Sequence, residues 1–188
     1  MNPAEDTRNL VDRFKGLENE AVVAELDKTR TSIEIAIENL SHDFNIGTIV
    51  RNANAFNVSR VHIIGKRKYN RRGAMVTDKY LHIDHFEDAK SFAEDAKKRG
   101  MNIVAIENNR PESKPLQSAE VKANAILVFG SESDGLTQEL LDLADEIFYI
   151  EQLGSTRSIN VGCASAVALY EYTRRLGYFN QRNFNAQA

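Results

Sequence analysis

Short apolar runs alternate with segments of helical period along nearly the whole chain, and few folds accommodate that alternation. At 125–129 the five residues AILVF are apolar without interruption and are flanked by Asn124 and Gly130, the pattern of a strand buried on both faces. Ile33, Ile35 and Ile37 alternate with Glu34, Ala36 and Glu38, which is strand period. Further strands are expected at 60–64, 102–106 and 146–150. Between 45 and 57, Ile46, Ile49, Val50, Ala53 and Phe56 recur at helical spacing. Helices are likewise expected at 17–30, 87–99, 137–143 and 160–176, with Gly100 as the stop of the segment before it. Strands alternating with helices predict an α/β fold whose mostly parallel sheet lies between helices.

Length and composition agree with one compact domain. A chain of 188 residues, 42% of them hydrophobic, can bury about 70% of its unfolded surface and needs no staple. Its single cysteine, Cys163, can form neither an internal disulfide nor a cysteine-rich zinc site, which suits a reducing cytoplasm. The first residues lack a basic-then-apolar leader, and no run approaches the ~20 apolar residues of a membrane span, so no membrane role is expected. His82 and His85, in and just after a strand-like stretch at 81–84, do not share a helical face and have no cysteine pair nearby, so no metal is expected. Ser158 and Cys163 lack the setting of a nucleophile elbow. Neither a GxGxxG fingerprint nor a P-loop follows any expected strand. Residues 1–30 read as a helical extension and 31–188 as the main domain.

Ligands of such sheets gather at the carboxyl ends of the strands, where three loops stand out: 39–45, 130–135 and 151–160. The first leads into a helix that Asp43 or Asn45 could cap, and Gly47 leaves its first turn without a side chain. Arg51 falls off that helix's apolar stripe. It is either an ordinary exposed arginine or a contact for phosphate or ribose. In the second loop, Gly130 permits close approach to the backbone, Gly135 permits positive φ and Glu132 offers an acceptor, although a plain strand-to-helix turn with Asp134 and Thr137 as caps accounts for them too. In the third, Ser158 or Asn160 can cap the last helix, whose opening turns use small residues suited either to close packing or to a ligand. With 24 Lys+Arg against 27 Asp+Glu, the net charge of -3 gives no overall pull toward nucleic acid. Any such contact falls to a local patch, and Lys66, Arg67, Lys68, Arg71 and Arg72 supply one within seven residues.

Three segments in this order, NLSHDFNIGTIVRNANAF, ILVFGSESDGL and STRSINVGCASAVALYEYTRR, resemble the motifs of the SpoU/TrmH family of the SPOUT superfamily, and the likeness runs from about Ile33 to Leu176. That resemblance implies an RNA ribose 2′-O-methyltransferase that uses S-adenosylmethionine, acts as a homodimer in the cytoplasm and ties its C-terminal segment into a deep trefoil knot. Matched to the motifs, the catalytic set is Arg51, Asn45, Glu132, Ser158 and Asn160, and the cofactor contacts are Ile106, Gly130, Ile150, Leu153 and Ser158. The basic loop at 66–72, with Arg51, would hold RNA, and a chain this compact suits transfer RNA better than ribosomal RNA. The sequence departs from the family pattern at Gly162, where SINVG replaces the usual SLNVS, and at Glu151, which stands where proline is common and would either approach the sulfonium or face water. Arginine is protonated at all accessible pH, so Arg51 is either a base in a strongly perturbed site or an anchor that grips phosphate and polarises the hydroxyl. A silent RNA-binding module and a base-methylating relative are the alternatives.

Overall fold

The computed structural model describes residues 5–40, 45–108, 110–131 and 134–181. Among these residues seven strands form one sheet: β1 (Glu34–Asn39), β2 (Arg60–Gly65), β3 (Ile83–Phe86), β4 (Asn102–Ile106), β5 (Lys114–Pro115), β6 (Ala125–Phe129) and β7 (Glu146–Tyr149). Their spatial order is β3-β2-β1-β6-β4-β7-β5, and every pairing is parallel. Parallel neighbours cannot be joined by a hairpin, so the chain crosses over between strands, through α2 (Ile46–Ala55), α3 (Ala89–Lys98) and α4 (Gln138–Leu143) and elsewhere through 3-10 turns, while α1 (Asn19–Asp27) precedes the first strand and α5 (Val161–Arg175) follows the last.

The helices cover both faces. Ile35, Ile37, Leu127 and Phe129 pack with Ile46, Ile49 and Val50 of α2 and Leu169 and Tyr172 of α5. Ala36, Ile126 and Val128 pack with Phe92 of α3 and Leu140 of α4. All five residues of β6 are buried, as its unbroken apolar run requires. Each fully buried Leu, Ile or Phe contributes about 1.5–3 kcal/mol of apolar transfer. A smaller cluster of Phe14, Val22 and Tyr80 fastens α1 to the 3-10 turn Thr77–Tyr80. Arg30 Nη2 donates to the Tyr80 carbonyl at 2.9 Å, and His82 Nε2 lies 2.9 Å from Asp27 Oδ1.

Two strands differ from the sequence pattern. β3 is a half-exposed edge strand, announced only by the strand-like stretch at 81–84. β5 is two residues long and pairs with β7 alone, an edge position where Pro115 forfeits no needed ladder bond.

The polar positions of β1 are buried along with its isoleucines. Glu34 pairs with His62 Nε2 at 2.7 Å and accepts from Arg99 Nη1 at 2.7 and 2.8 Å. Glu38 accepts from the Thr137 N–H at 2.8 Å and from its hydroxyl at 2.6 Å, which fixes the start of α4. Burial alone would raise the Glu34 pKa, but the hydrogen bonds and charges of His62 and Arg99 hold it below its ordinary value of 4.5. A carboxylate depressed in the folded state stabilises above its unfolded pKa and loses that contribution as pH falls through the folded one. Unfolding free energy, followed by urea titration, is therefore expected to drop as pH is lowered below 4.5, and Glu34→Gln to remove part of that drop.

Candidate active site

A cavity of about 500 Å³ opens at the carboxyl ends of β4, β6 and β7, the place where ligands of parallel sheets gather. Ile106 at the end of β4, Gly130 after β6, Ile150 after β7 and Ser158 before α5 line it, with Glu107, Gln152 and Arg157. Leu153 is absent from the lining, and its side chain is fully exposed.

The loop after β6 folds back on itself. Ser131 and Gly135 exchange backbone hydrogen bonds of 3.2 and 3.0 Å, and Gly135 takes a φ of 69°. A Cβ on Gly130 would stand 2.2 Å from the Gly135 carbonyl carbon. The missing side chain thus serves the closure of the loop, whereas the sequence suggested room for a ligand. Glu107 accepts from Leu136 N at 3.1 Å and from Asn108 N at 3.0 Å, while Asn108 Nδ2 donates to the Arg157 carbonyl at 2.9 Å. Three loops are thereby tied around one space. Among the described residues, the side-chain oxygen of Gln152 is buried without a hydrogen-bond partner. Apolar Ile106, Ile150, Ile159 and Val161 line the cavity beside polar Asn108, Gln152 and Ser158, so it suits a ligand with both apolar and hydrogen-bonding groups.

The arginine-bearing helix is held against this cavity from one side and against the basic loop from the other. Asn45 is the N-cap residue of α2 by position, but its side chain makes no capping bond. Its Oδ1 instead accepts from Asn160 Nδ2 at 2.8 Å, which corrects the expected cap. Asn160 Oδ1 in turn accepts from Cys163 N at 3.2 Å, so Asn160 caps α5 as expected and also reaches across to α2. Asn52 Nδ2 donates to the Gly162 carbonyl at 2.8 Å and to Ser165 Oγ at 2.9 Å. A Cβ on Gly162 would lie 2.8 Å from Thr48 Cγ2. On the opposite side, a Cβ on Gly47 would lie 2.8 Å from both Ala74 N and Asn70 O. The space opened by Gly47 is therefore filled by the 3-10 turn Arg71–Ala74. Arg51, one helical turn further, is exposed, and among the described residues it makes no ion pair or side-chain hydrogen bond. Glu132 and Asp43 lie outside the described residues.

Asn39 anchors the basic loop by donating from Nδ2 to the carbonyls of Lys66 and Lys68, while its own carbonyl accepts from Lys66 N at 2.9 Å. Lys66, Arg67, Lys68 and Arg72 are exposed. Arg71 is less available than its sequence neighbours suggest: its Nε donates to Asp78 Oδ2 at 2.6 Å, its Nη2 joins the same oxygen, and this bond keeps the guanidinium charged. Glu151 neither lines the cavity nor simply faces water. Its Oε1 accepts from Gln117 N at 3.2 Å, beside a second groove lined by Phe56, Leu116, Val167 and Tyr170.

Sequence reasoning missed Gln152, Glu107, Asn52 and Asp78. Asn52 alone carried a local signal: it stands between Ile49 and Phe56 at helical spacing, a polar residue beside an apolar stripe.

Residues 32–170 match the SpoU rRNA Methylase family. The chain is 26% identical over 171 residues to the tRNA (guanosine(18)-2′-O)-methyltransferase of Borreliella burgdorferi, covering 89% of this chain and 78% of that protein. A crystal structure of the TrmH/SpoU tRNA modifying enzyme of A. aeolicus superposes with a TM-score of 0.73 at 24% identity, covering 86% of this chain and 85% of the other. An AdoMet-bound rRNA methyltransferase from Sinorhizobium meliloti superposes with a TM-score of 0.70, also at 24% identity, over 80% of this chain and 60% of the other.

Proposed function

The chain belongs to the SpoU rRNA methylase family, and from that membership we propose that it transfers a methyl group from S-adenosylmethionine to a ribose 2′-hydroxyl of RNA, in transfer RNA rather than ribosomal RNA. The observation that carries the reading is the 2.8 Å hydrogen bond from Asn160 to Asn45. It sets the helix of Arg51 against the segment, Ser158 to Ala164, that walls the cavity. The relative from Borreliella burgdorferi, named for methylating guanosine 18 of tRNA, supports the choice of RNA class.

The cavity fits the cofactor in size and chemistry. It has the volume of a small-molecule site, and its mixed lining of apolar Ile106 and Ile150 with polar Asn108, Gln152 and Ser158 suits a molecule that is itself part apolar and part polar. Ile106, Gly130, Ile150 and Ser158 would hold the cofactor, while the exposed side chain of Leu153 leaves only that residue's backbone to contribute. When bound, S-adenosylmethionine supplies an electrophilic methyl group. The protein's task is to align the ribose oxygen with it and to assist loss of the hydroxyl proton. A guanidinium does not give up its proton at accessible pH, so Arg51 grips the phosphate beside the target ribose and polarises the hydroxyl. Asn45 and Asn160 hold its helix, and motif matching adds Glu132 and Ser158 to the set.

The same reading includes a catalytic unit over 31–188 with a deep trefoil knot, a helical extension over 1–30, a homodimer and a cytoplasmic setting. In support of the knot, β4 lies between β6 and β7, both later in the chain. In support of the dimer, α5 exposes Val167 and Tyr170 beside the apolar groove of about 520 Å³.

Incubating the protein with methyl-labelled S-adenosylmethionine and separated RNA classes tests the proposal. Label is expected in tRNA. Label confined to rRNA would overturn the choice of substrate, and label in neither would leave a silent RNA-binding module. The basic loop has its own signature: Arg72→Ala should shrink the salt dependence of tRNA binding by about one phosphate contact, and an unchanged slope would remove Arg72 from the interface. Arg71→Ala is the poorer test, because it also strands Asp78, whose side chain is 3% exposed.

A further inference from the structure

Between the turns Arg71–Ala74 and Thr77–Tyr80, Met75 and Val76 both adopt left-handed backbone, with φ of 48° and 67°. Such a conformation costs on the order of 1–3 kcal/mol for a non-glycine residue, and a β-branched residue adopts it rarely. The other non-glycine residue with positive φ among the described residues is Asn57, of a type that tolerates it. Both side chains are 55% exposed, so packing within this chain does not repay the strain.

The tip is nonetheless rigidly mounted. The backbone of Gly73 and Ala74 rests on Gly47, Thr77 Oγ1 donates to the Ala74 carbonyl at 2.6 Å, Asp78 grips Arg71, and Tyr80 is buried against Phe14 and Val22. Gly47 and Arg51 are four residues apart in α2 and share a face, so the turn that carries the tip lies along the face that carries Arg51. Exposed Arg72 and Lys79 flank the tip, with Arg71 beside them in its ion pair with Asp78. Cations with no exposed anion among them are complementary to a polyanion, and the two apolar side chains they flank match one that also presents apolar faces.

We propose that Met75 and Val76 form an apolar tip that packs against an unstacked base of the RNA substrate, next to the nucleotide whose ribose Arg51 engages. This rests on the reading of the chain as an RNA methyltransferase. RNA is recognised mainly where bases are splayed out of the stack, and apolar side chains wedged between bases hold them there. The flanking cations would hold the adjoining phosphates.

The test uses the full chain and an in vitro transcribed, fluorescently labelled tRNA. Glycine accepts positive φ without strain, so Met75→Gly/Val76→Gly removes both side chains while the melting temperature holds or rises. Val76→Asn, which tolerates the same backbone, serves as the second variant. For both variants the Kd and KM for tRNA should rise, on the order of tenfold for the double variant, with kcat and S-adenosylmethionine affinity unchanged. The slope of affinity against salt should also stay unchanged, because no phosphate contact is lost. Wild-type tRNA affinity in the folded double variant would overturn the proposal. So would a change of oligomeric state with wild-type tRNA affinity, which would assign the tip to a protein contact, or a wild-type protein that binds no tRNA. If the wild-type protein binds tRNA but methylates no RNA, the proposed reaction fails, while the binding comparison still decides the role of the tip.

Discussion

Replacing Arg51 with alanine is expected to lower the rate of methyl transfer by about 10²–10³-fold, the range for loss of one preorganised charged donor, while S-adenosylmethionine binding and the melting temperature stay at wild-type values. Arg51 is exposed and, among the described residues, has no internal partner, so the fold gives up nothing when it is removed. The substitution leaves the cavity lining intact, because Arg51 is not part of it. Arg51→Lys should fall between alanine and wild type: it restores charge but lacks the planar fork that grips a phosphate with two parallel bonds. Single-turnover transfer from labelled S-adenosylmethionine, alongside calorimetric cofactor binding, separates the two effects. Full activity in Arg51→Ala would remove this residue from the centre of the reaction.

Gly130→Ala attacks the cofactor side. The added Cβ would stand 2.2 Å from the carbonyl carbon of Gly135 and 2.5 Å from Leu136 N, both backbone atoms. Relief requires opening the Ser131–Gly135 pair and shifting Leu136 away from Glu107. Overpacking of this kind costs about 1–3 kcal/mol. Because the same loop walls the cavity, the Kd for S-adenosylmethionine should rise by roughly tenfold or more, at 1.4 kcal/mol per tenfold. A fall in melting temperature should accompany it. Gly154→Ala is the control: a Cβ there meets nothing within 4 Å, and both readouts should stay at wild type.

Much of the scaffold was legible because it is written in local period. The apolar run of β6, the stripe of Ile46, Ile49, Val50 and Ala53 on α2, and the stop at Gly100, which takes a φ of 66°, each follow from residues close in sequence. Strand direction singled out the loops after β6 and β7, which do line the cavity, but not the loop after β4 that completes it, and most of the third loop singled out, 39–45, lies outside the described residues. What escaped is non-local. Glu34 and Glu38 look like the wet face of a strand, and their burial depends on Arg99 and Thr137, 65 and 99 residues away. Asp78 is only seven residues from Arg71 but belongs to a different turn, so no helical or strand period links the two. Gly130 was recognised as a place of close approach and Gly47 as leaving a helical turn bare, but what approaches both is this chain's own backbone. Gln152 lines a cavity that exists only after β4, β6 and β7 are side by side.

The most direct measurement follows the methyl group to its atom. tRNA modified with labelled S-adenosylmethionine is hydrolysed in alkali, which cleaves RNA only where the 2′-hydroxyl is free. Transfer to the ribose beside Arg51 places the label in alkali-resistant dinucleotides, and the same preparation made with Arg51→Ala carries little of it. Label released in ordinary mononucleotides would put the methyl group on a base and contradict the assignment of this site to a sugar oxygen.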